Sequence, residues 1–229
     1  YLKFINGDRK ILFSDSQIKS FVKLILFSIT ILFFYLAIIN RSFTDISLMS
    51  VSFNVISILT GTGYVSENFS NWGNFPLLFF LILMFIGGCA GSTTGGLKVF
   101  RFQILFKFIS LHLKKMLQPH AVIAKQFNGK KIKDSTYDSV MSFFFIYIIT
   151  FAISALLLSF SGLDFLTCFS AAASAISNVG PGLGDIIGPA GTFQPLPDSA
   201  KWLLSLGMLL GRLEIMTALV IMHPNFWKN

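Results

Sequence analysis

Charge is what this chain has least of. Only 10 of its 229 residues are Asp or Glu, and charged residues of both signs make up 12%, against about 25% in an ordinary soluble domain. With 54% hydrophobic residues, 27 of them Phe, a soluble fold would have too few charges to cover its outside. That excludes a disordered chain, a nucleic-acid-binding domain and most cytosolic enzymes. Cysteine and histidine are scarce too. Cys89 and Cys168 stand far apart inside apolar stretches, which leaves no disulfide framework and no metal spacing. His112, His120 and His223 form no ligand cluster. No signal peptide opens the chain, which begins at Tyr1 rather than Met. The expectation is a C-terminal piece of a longer chain.

What is present is a series of long uncharged runs, with a mean hydropathy of +0.72. Leu24 to Ile39 is apolar or small throughout and follows Lys19 and Lys23, so it reads as a membrane-spanning helix. Ile46 to Ser66 is uncharged but mixes Ser, Asn and Thr with apolar residues, and ends in Thr60-Gly61-Thr62-Gly63-Tyr64. Asn68 to Leu97 is long enough to span. Its end carries five glycines in ten positions, at Gly87, Gly88, Gly91, Gly95 and Gly96, and these cannot make a robust helix. Lys98 to Lys133 then holds nine of the 18 basic residues and no acid, with a helical start expected through Phe108. Ser139 to Leu163 is a second unmistakable span. Phe165 to Gly184 is again uncharged, rich in small residues, and ends Ser177-Asn178-Val179-Gly180-Pro181-Gly182-Leu183-Gly184. Trp202 to Met222 is the last span and contains Arg212 and Glu214.

One pattern is thus written twice: spanning helix, shorter uncharged helix, glycine-bearing loop, spanning helix. Gly63 and Gly180 lie 117 residues apart, and Asp45 and Asp164 lie 119 apart. An internal repeat constrains the fold more than any single motif. The expected fold is an all-α polytopic membrane protein of two such repeats. The divisions are a lead-in at 1–19, a repeat at 20–97, a basic linker at 98–138, a repeat at 139–222 and a tail at 223–229. Four helices span, one interrupted by the glycine stretch. Lys3, Arg9, Lys10, Lys19 and Lys23, the linker and Lys228 put lead-in, linker and tail on the cytoplasmic side. Asp45, Glu67, Asp164, Asp185 and Asp198 fall on the other side, against only Arg41 and Lys201. Both short helices then enter from outside and return. Orientation accounts for the net charge of +8 without nucleic acid.

A returning helix with a glycine loop has a physical use. Irregular backbone is tolerated at membrane depth only where it lines water or ligand or is buried in protein. Carbonyls turned inward can replace the hydration shell of a cation, and the C-terminal end of the short helix adds partial negative charge. Thr60 to Tyr64 is similar to half of a potassium-channel filter.

Three strings make the resemblance specific: Phe85 to Val99 (FIGGCAGSTTGGLKV), Asn178 to Gly184 (NVGPGLG) and Met208 to Glu214 (MLLGRLE). The chain resembles the C-terminal half of a Trk/Ktr/HKT-superfamily potassium transporter, of the bacterial Trk membrane-subunit type, a multi-pass protein of the cytoplasmic (inner) membrane. That resemblance implies four pore hairpins around one potassium-channel-like pore, of which this chain holds the third and fourth. It implies a selectivity filter at Thr60, Gly61, Thr62, Gly63, Tyr64, Ser177, Asn178, Val179, Gly180, Pro181 and Gly182. Potassium would sit at the carbonyls of Thr62, Gly63, Val179 and Gly180. It implies a gate made by Gly87, Gly88, Gly91, Ser92, Thr93, Thr94, Gly95, Gly96 and Arg212. Its implied partners are lipid, the missing N-terminal half with two repeats, a second copy as homodimer, and a cytosolic nucleotide-binding regulatory subunit. Potassium is the substrate; no covalent cofactor and no enzyme chemistry is implied.

Rival readings stand beside these. Gly91 and Gly96 have the spacing of a phosphate loop, but Leu97 occupies the lysine position. The small residues of 87–96 also suit close helix packing. Arg212 lies mid-span at a cost of about 3 kcal/mol. It is either a barrier under the filter or half of a structural salt bridge. Glu214, two residues on, does not share its helix face, so each needs another partner. Lys98 equally well marks the membrane edge. The outer acids either concentrate cations or are ordinary loop residues. Sodium transport by the same architecture and a non-conducting membrane scaffold are the alternative functions.

Overall fold

A computed structural model describes residues 15–40, 47–119, 126–127, 130–131, 134–222 and 224–227. Lys3, Arg9, Lys10, Arg41, Asp45, His120, His223 and Lys228 lie outside the described residues. The elements run in chain order as α1 (Ser16–Asn40), α2 (Leu48–Leu59), a 3-10 turn (Phe69–Trp72), α3 (Asn74–Met84), β1 (Ile86–Gly87), β2 (Leu97–Lys98) and α4 (Val99–Leu117). A short pair follows, β3 (Gln126–Phe127) with β4 (Lys130–Lys131). Then come α5 (Asp134–Ser159), α6 (Phe165–Ser177), α7 (Gly184–Ile187), α8 (Asp198–Arg212), α9 (Ile215–Met222) and a final 3-10 turn (Pro224–Trp227). The architecture is helical; each strand pair is only two residues long.

Two helices, over Ser16–Ile39 and Ser135–Ser159, are long and apolar enough to cross a membrane. Both leave large apolar side chains exposed, such as Phe27, Phe34 and Ile38 on α1 and Phe145, Ile148 and Leu156 on α5, the surface a helix presents to lipid. The short helices are different. In α6, ten of 13 residues are buried, among them Ala171, Ala172, Ala173 and Ala175. Small side chains let neighbouring helices approach closely. Gly207 of α8 faces the Ala175 methyl, and a Cβ at Gly211 would land on the Ile176 carbonyl oxygen. The helix is therefore the hub of the fold. Ala173 of α6 joins the core that α1, α2 and α3 build from Leu32, Leu36, Val55, Leu59, Phe80 and Leu83. On another face, Ala172 and Ala175 pack with Ala155 and Leu158 of α5 and Ala200 and Leu204 of α8. Phe69 anchors the first core, its ring centroid 4.4 Å from that of Phe80; burying such a side chain is worth about 1.5–3 kcal/mol.

Capping fixes where the short helices begin. The Ser47 side chain accepts the Ser50 N–H at 3.2 Å, and the Asp164 carboxylate accepts the Thr167 N–H at 3.2 Å. These caps lie 117 residues apart, the offset of Gly63 and Gly180. Ser47 rather than Asp45 is thus the structural counterpart of Asp164, and the spacing of the two copies is uniform.

The last apolar segment differs from its expected form. Trp202 to Met222 is not one continuous span. α8 ends at Arg212, α9 starts at Ile215, and the two meet at a bend of 101°. Neither Gly nor Pro marks the break. Glu214 itself takes a left-handed conformation, φ +58°, and its carboxylate is drawn to Lys98 and Arg101. The helix after Phe75 is also shorter than its apolar run: α3 stops at Met84, and the chain resumes as α4, which extends to Leu117 rather than Phe108.

Two outcomes follow for stability. Gly207→Ala adds a methyl at ordinary contact distance and leaves thermal unfolding unchanged. Gly211→Ala, one turn on, forces α8 off the end of α6 and costs about 1–3 kcal/mol. Thermal unfolding of the full-length chain in detergent reads both. The Asp164 carboxyl is held below the usual carboxylate range by its bonds to Thr167. Because the folded state favours its ionised form, the cap contributes fully above the unfolded value of about 3.9 and is lost as pH falls through the lowered one. Asp164→Asn, which keeps the acceptor without the charge, flattens that acid limb in a pH series of melting curves.

Candidate functional site

The loops that end α2 and α6 begin alike, with matching backbone bonds. The Gly61 N–H donates to the Ile58 carbonyl at 3.0 Å, and 117 residues on Asn178 donates to Ala175 at 3.2 Å. Thr62 donates to the Ser57 carbonyl at 2.9 Å, and Val179 to Ser174 at 3.1 Å. Gly61 and Asn178 both stand in the left-handed region, φ +63° and +54°; so do Gly63 and Gly180, φ +77° and +119°. Left-handed residues at every second position let neighbouring carbonyls depart from the alternation of a strand.

A buried hydroxyl holds each loop to its own helix. Ser57 Oγ donates to the Tyr64 carbonyl at 2.6 Å. Its counterpart Ser174 donates to the Gly180 carbonyl at 2.9 Å and accepts the Gly180 N–H at 3.2 Å. One turn earlier, the Asn54 carboxamide binds the Ser66 N–H and hydroxyl, and Ser170 Oγ accepts the Leu183 N–H at 3.0 Å. Sequence reasoning singled out none of Ser57, Ser174, Asn54 and Ser170; it noted only the polar character of the stretches that hold them. The 117-residue offset shared by Ser57 and Ser174 was the signal that could have singled those two out.

The two loops meet. The Val179 carbonyl oxygen occupies the place a Cβ on Gly63 would need, and Gly180 faces the Cα of Gly63. With φ +77° as well, position 63 admits only glycine without displacement of both loops. Around them, Thr60 Oγ1 and Thr62 Oγ1 lie 2.8 Å apart, Tyr64 is exposed, and Ser177 shares a 2.7 Å hydrogen bond with buried Tyr147. The Asn178 amide donates to the Met208 carbonyl of α8 at 3.1 Å. Gly182 donates to the Ile187 carbonyl, and the Pro181 ring abuts Gly63. The C-terminal ends of α2 and α6 both run into this junction and bring their partial negative charge to it.

The glycine stretch packs directly against the same junction. It is a closed excursion rather than an open linker. Ile86 and Gly87 pair in parallel with Leu97 and Lys98, and the Val99 N–H reaches the Gly88 carbonyl at 3.1 Å. Inside it the Gly88 N–H binds Thr94 Oγ1, which also meets Ser92 Oγ. Gly95 lies against the Ser177 carbonyl, and the Thr94 methyl against Gly61. Gly96 packs on the Phe85 carbonyl, whereas Gly91 at the tip faces open space.

Arg212 Nη1 donates to the Thr93 carbonyl, so the charge at the end of α8 holds the excursion. Glu214 turns away to Lys98 Nζ at 3.4 Å and Arg101 Nη2 at 3.2 Å, with the Arg101 guanidinium 3.6 Å above the Phe143 ring. These four charged groups line a cavity of about 200 Å³ together with residues 92–96, Phe143, Tyr147, Gly211 and Ile215. Three of the acids expected on the other side have local partners: Glu67 accepts from Ser50 Oγ at 2.6 Å, Asp164 caps α6, and Asp198 pairs with Lys201 at 3.2 Å. Among the described residues no three His, Cys, Asp or Glu side chains gather as a metal centre requires, and Cys89 and Cys168 are free thiols.

Comparison with known proteins fits this geometry. The family model described as "TrkH: Cation transport protein" matches residues 12–229. The chain belongs to the TrkH family. It is 44% identical to "Trk system potassium uptake protein TrkI" of Halomonas elongata over 100% of this chain and 46% of that protein. It is 40% identical to "Trk system potassium uptake protein TrkH" of Vibrio parahaemolyticus over 77% of this chain and 36% of that one. The crystal structure of the potassium transporter TrkH from Vibrio parahaemolyticus superposes with a TM-score of 0.85 at 34% identity, covering 96% of this chain and 46% of that one. The chain thus spans less than half the length of these TrkH-family relatives. It is a multi-pass, helical membrane protein of that family.

The hydroxyl-to-loop bonds make a prediction. Ser174→Ala removes the acceptor of the Gly180 N–H and the donor to the Gly180 carbonyl, at a cost of about 1 kcal/mol. Hydrogen exchange of the peptide spanning 178–183 accelerates in that variant, while the peptide spanning 61–66 is unaffected.

Proposed function

We propose that this chain forms two quarters of a four-hairpin pore that carries potassium into the cell across the bacterial cytoplasmic membrane. The observation that carries the reading is the junction of loops 60–64 and 177–182, two copies of one structure at the ends of two buried helices. In this reading α2 and α6 are re-entrant pore helices, and the carbonyls of Thr62, Gly63, Val179 and Gly180 replace water around the ion. The Gly180 carbonyl, already bound by Ser174 Oγ, has a second lone pair for this. Tyr64, Asn178, Pro181 and Gly182 shape the loops. The excursion 87–96 lies beneath them as the gate, held by Arg212, whose positive charge opposes cation passage until the loop moves. An inward-negative potential supplies about 2.3 kcal/mol per elementary charge per 100 mV, so accumulation needs no enzyme chemistry from this chain. The relatives' printed names support potassium as the substrate. Glycine at both filter positions favours potassium over sodium, and two uncharged half-helices with matched loops have no use in a scaffold.

The other half of the pore comes from two further hairpins in the parent protein. A second copy as homodimer and a cytosolic nucleotide-binding regulatory subunit complete the assembly, with the basic segment 98–138 facing lipid headgroups or that subunit.

The test is rubidium and sodium uptake by potassium-uptake-deficient cells making the full-length parent chain, wild type or Gly63→Ser. The expected result is rubidium-selective uptake in wild type, with rate or selectivity lost in the variant at equal membrane abundance. Well-expressed protein without cation uptake, alone or with a regulatory subunit, refutes the transporter reading.

A further inference from the structure

The excursion 87–96 is held from two sides, and only one of them is the arginine. On the other side the Ala90 N–H donates to the Gln17 side-chain oxygen at 3.0 Å. Ala90 precedes the tip residue Gly91, at which a Cβ would meet nothing within 4 Å. Gln17 sits in the first turn of α1, where its own N–H is fixed by the Asp15 carboxylate at 2.8 Å. That turn is also tied to α4. The Gln103 amide nitrogen donates to the Ser16 carbonyl at 3.0 Å and to Ser20 Oγ at 2.6 Å. The junction therefore connects three segments far apart in sequence: the start of α1, the tip of the excursion, and the helix that leads from the excursion into the basic segment.

The same junction is incompletely satisfied. Two buried side-chain polar atoms here, Ser16 Oγ and Gln103 Oε1, have no hydrogen-bond partner among the described residues. A buried polar pair without partners favours any rearrangement that satisfies it. The α1–α4 contact thus has a second arrangement available to it, one in which the Gln103 side chain shifts along the first turn of α1.

We propose that Gln17 is a positioning residue for the intramembrane loop, and that Gln103 sets the place of Gln17, so that displacement of α4 releases the loop from its α1 side. This rests on the reading of 87–96 as a gate. It adds a second latch to Arg212 and a route by which movement of the cytoplasmic segment reaches the loop. Arg212 holds the Thr93 carbonyl from the end of α8 in the second repeat; Gln17 holds the Ala90 amide from the first helix of the first. Removal of either leaves the loop restrained on one side only.

The experiment uses the full-length parent chain in proteoliposomes, with two readouts: rubidium flux, and the rate at which a maleimide labels Cys89, read by mass spectrometry of its peptide. Cys89 is partly exposed within the loop, and Cys168 is buried. Loss of one neutral hydrogen bond shifts a two-state loop by about fivefold. Gln17→Leu is expected to raise both basal flux and Cys89 labelling by about that factor. Gln17→Glu keeps an oxygen for the Ala90 N–H and stays at wild-type values. Gln103→Leu raises both readouts, and adding it to Gln17→Leu raises them no further. Unchanged labelling and flux in Gln17→Leu overturn the proposal. So do equal effects of Leu and Glu at position 17, which mark a merely structural site, and additive effects of the two Leu variants. A wild-type protein that carries no rubidium but whose Cys89 labelling still rises in Gln17→Leu refutes conduction while leaving the positioning role standing.

Discussion

The structure depends on satisfying the backbone of two turns at the inner ends of two short helices. α2 and α6 end inside the protein, and the carbonyl and amide groups past each end have no helical partner. In an apolar surrounding an unmet group of this kind costs about 1–3 kcal/mol. Each helix answers from within, through a serine one turn before its end and a polar side chain one turn earlier still. Ser57 and Ser174 reach the loops, and Asn54 and Ser170 reach the segments that follow. The requirement explains why these helices carry polar side chains among alanine and isoleucine, and why Ser57 and Ser174 repeat with the loops. It also explains the rigidity of the junction: a carbonyl in the proposed filter is presented by a backbone whose other groups are already bound.

Packing follows from the same need. Loops that must be held in place have to be reached by neighbours on all sides, so α6 is lined with alanine and its surroundings come close. Gly207 and Gly211 let α8 lie against it, and the Asn178 amide then finds the Met208 carbonyl. A left-handed Asn at 178, where the other repeat has Gly61, serves both purposes: asparagine tolerates that conformation and offers a side-chain donor that glycine does not.

Much of this was legible in the sequence, for physical reasons that also mark its limits. The runs that became α1 and α5 are long and uncharged, and the two glycine loops at fixed offset gave away the repeat. Five glycines in 87–96 announced a break in the helix. The closure of that break did not show, because parallel pairing of Ile86–Gly87 with Leu97–Lys98 has no local signature. The bend at Leu213–Glu214 was invisible for a related reason: no proline marks it, and the groups that hold the Glu214 carboxylate there, Lys98 and Arg101, lie more than a hundred residues away. Asp45 was paired with Asp164 by residue type, whereas cap geometry pairs Ser47 with it: serine and aspartate are interchangeable as N-caps, so identity alone misleads by two residues.

The charges beneath the junction close the argument. An arginine at membrane depth is costly unless its donors are met, and a loop carbonyl turned from its own helix is costly unless it finds a donor. Arg212 and Thr93 meet both needs at once. Glu214 cannot share that role, since the bend at its own backbone sends its carboxylate to Lys98 and Arg101. Lys98 is the residue at which the excursion rejoins helix. One acid, in the bend between α8 and α9, therefore holds the exit of the loop, while the arginine two residues before it ties the loop's middle to the end of α8. In the proposed pathway, movement of the loop out of the ion's route breaks the bond between the guanidinium and the Thr93 carbonyl. In the proposed gate, that bond and the Glu214 pairs act together on one loop.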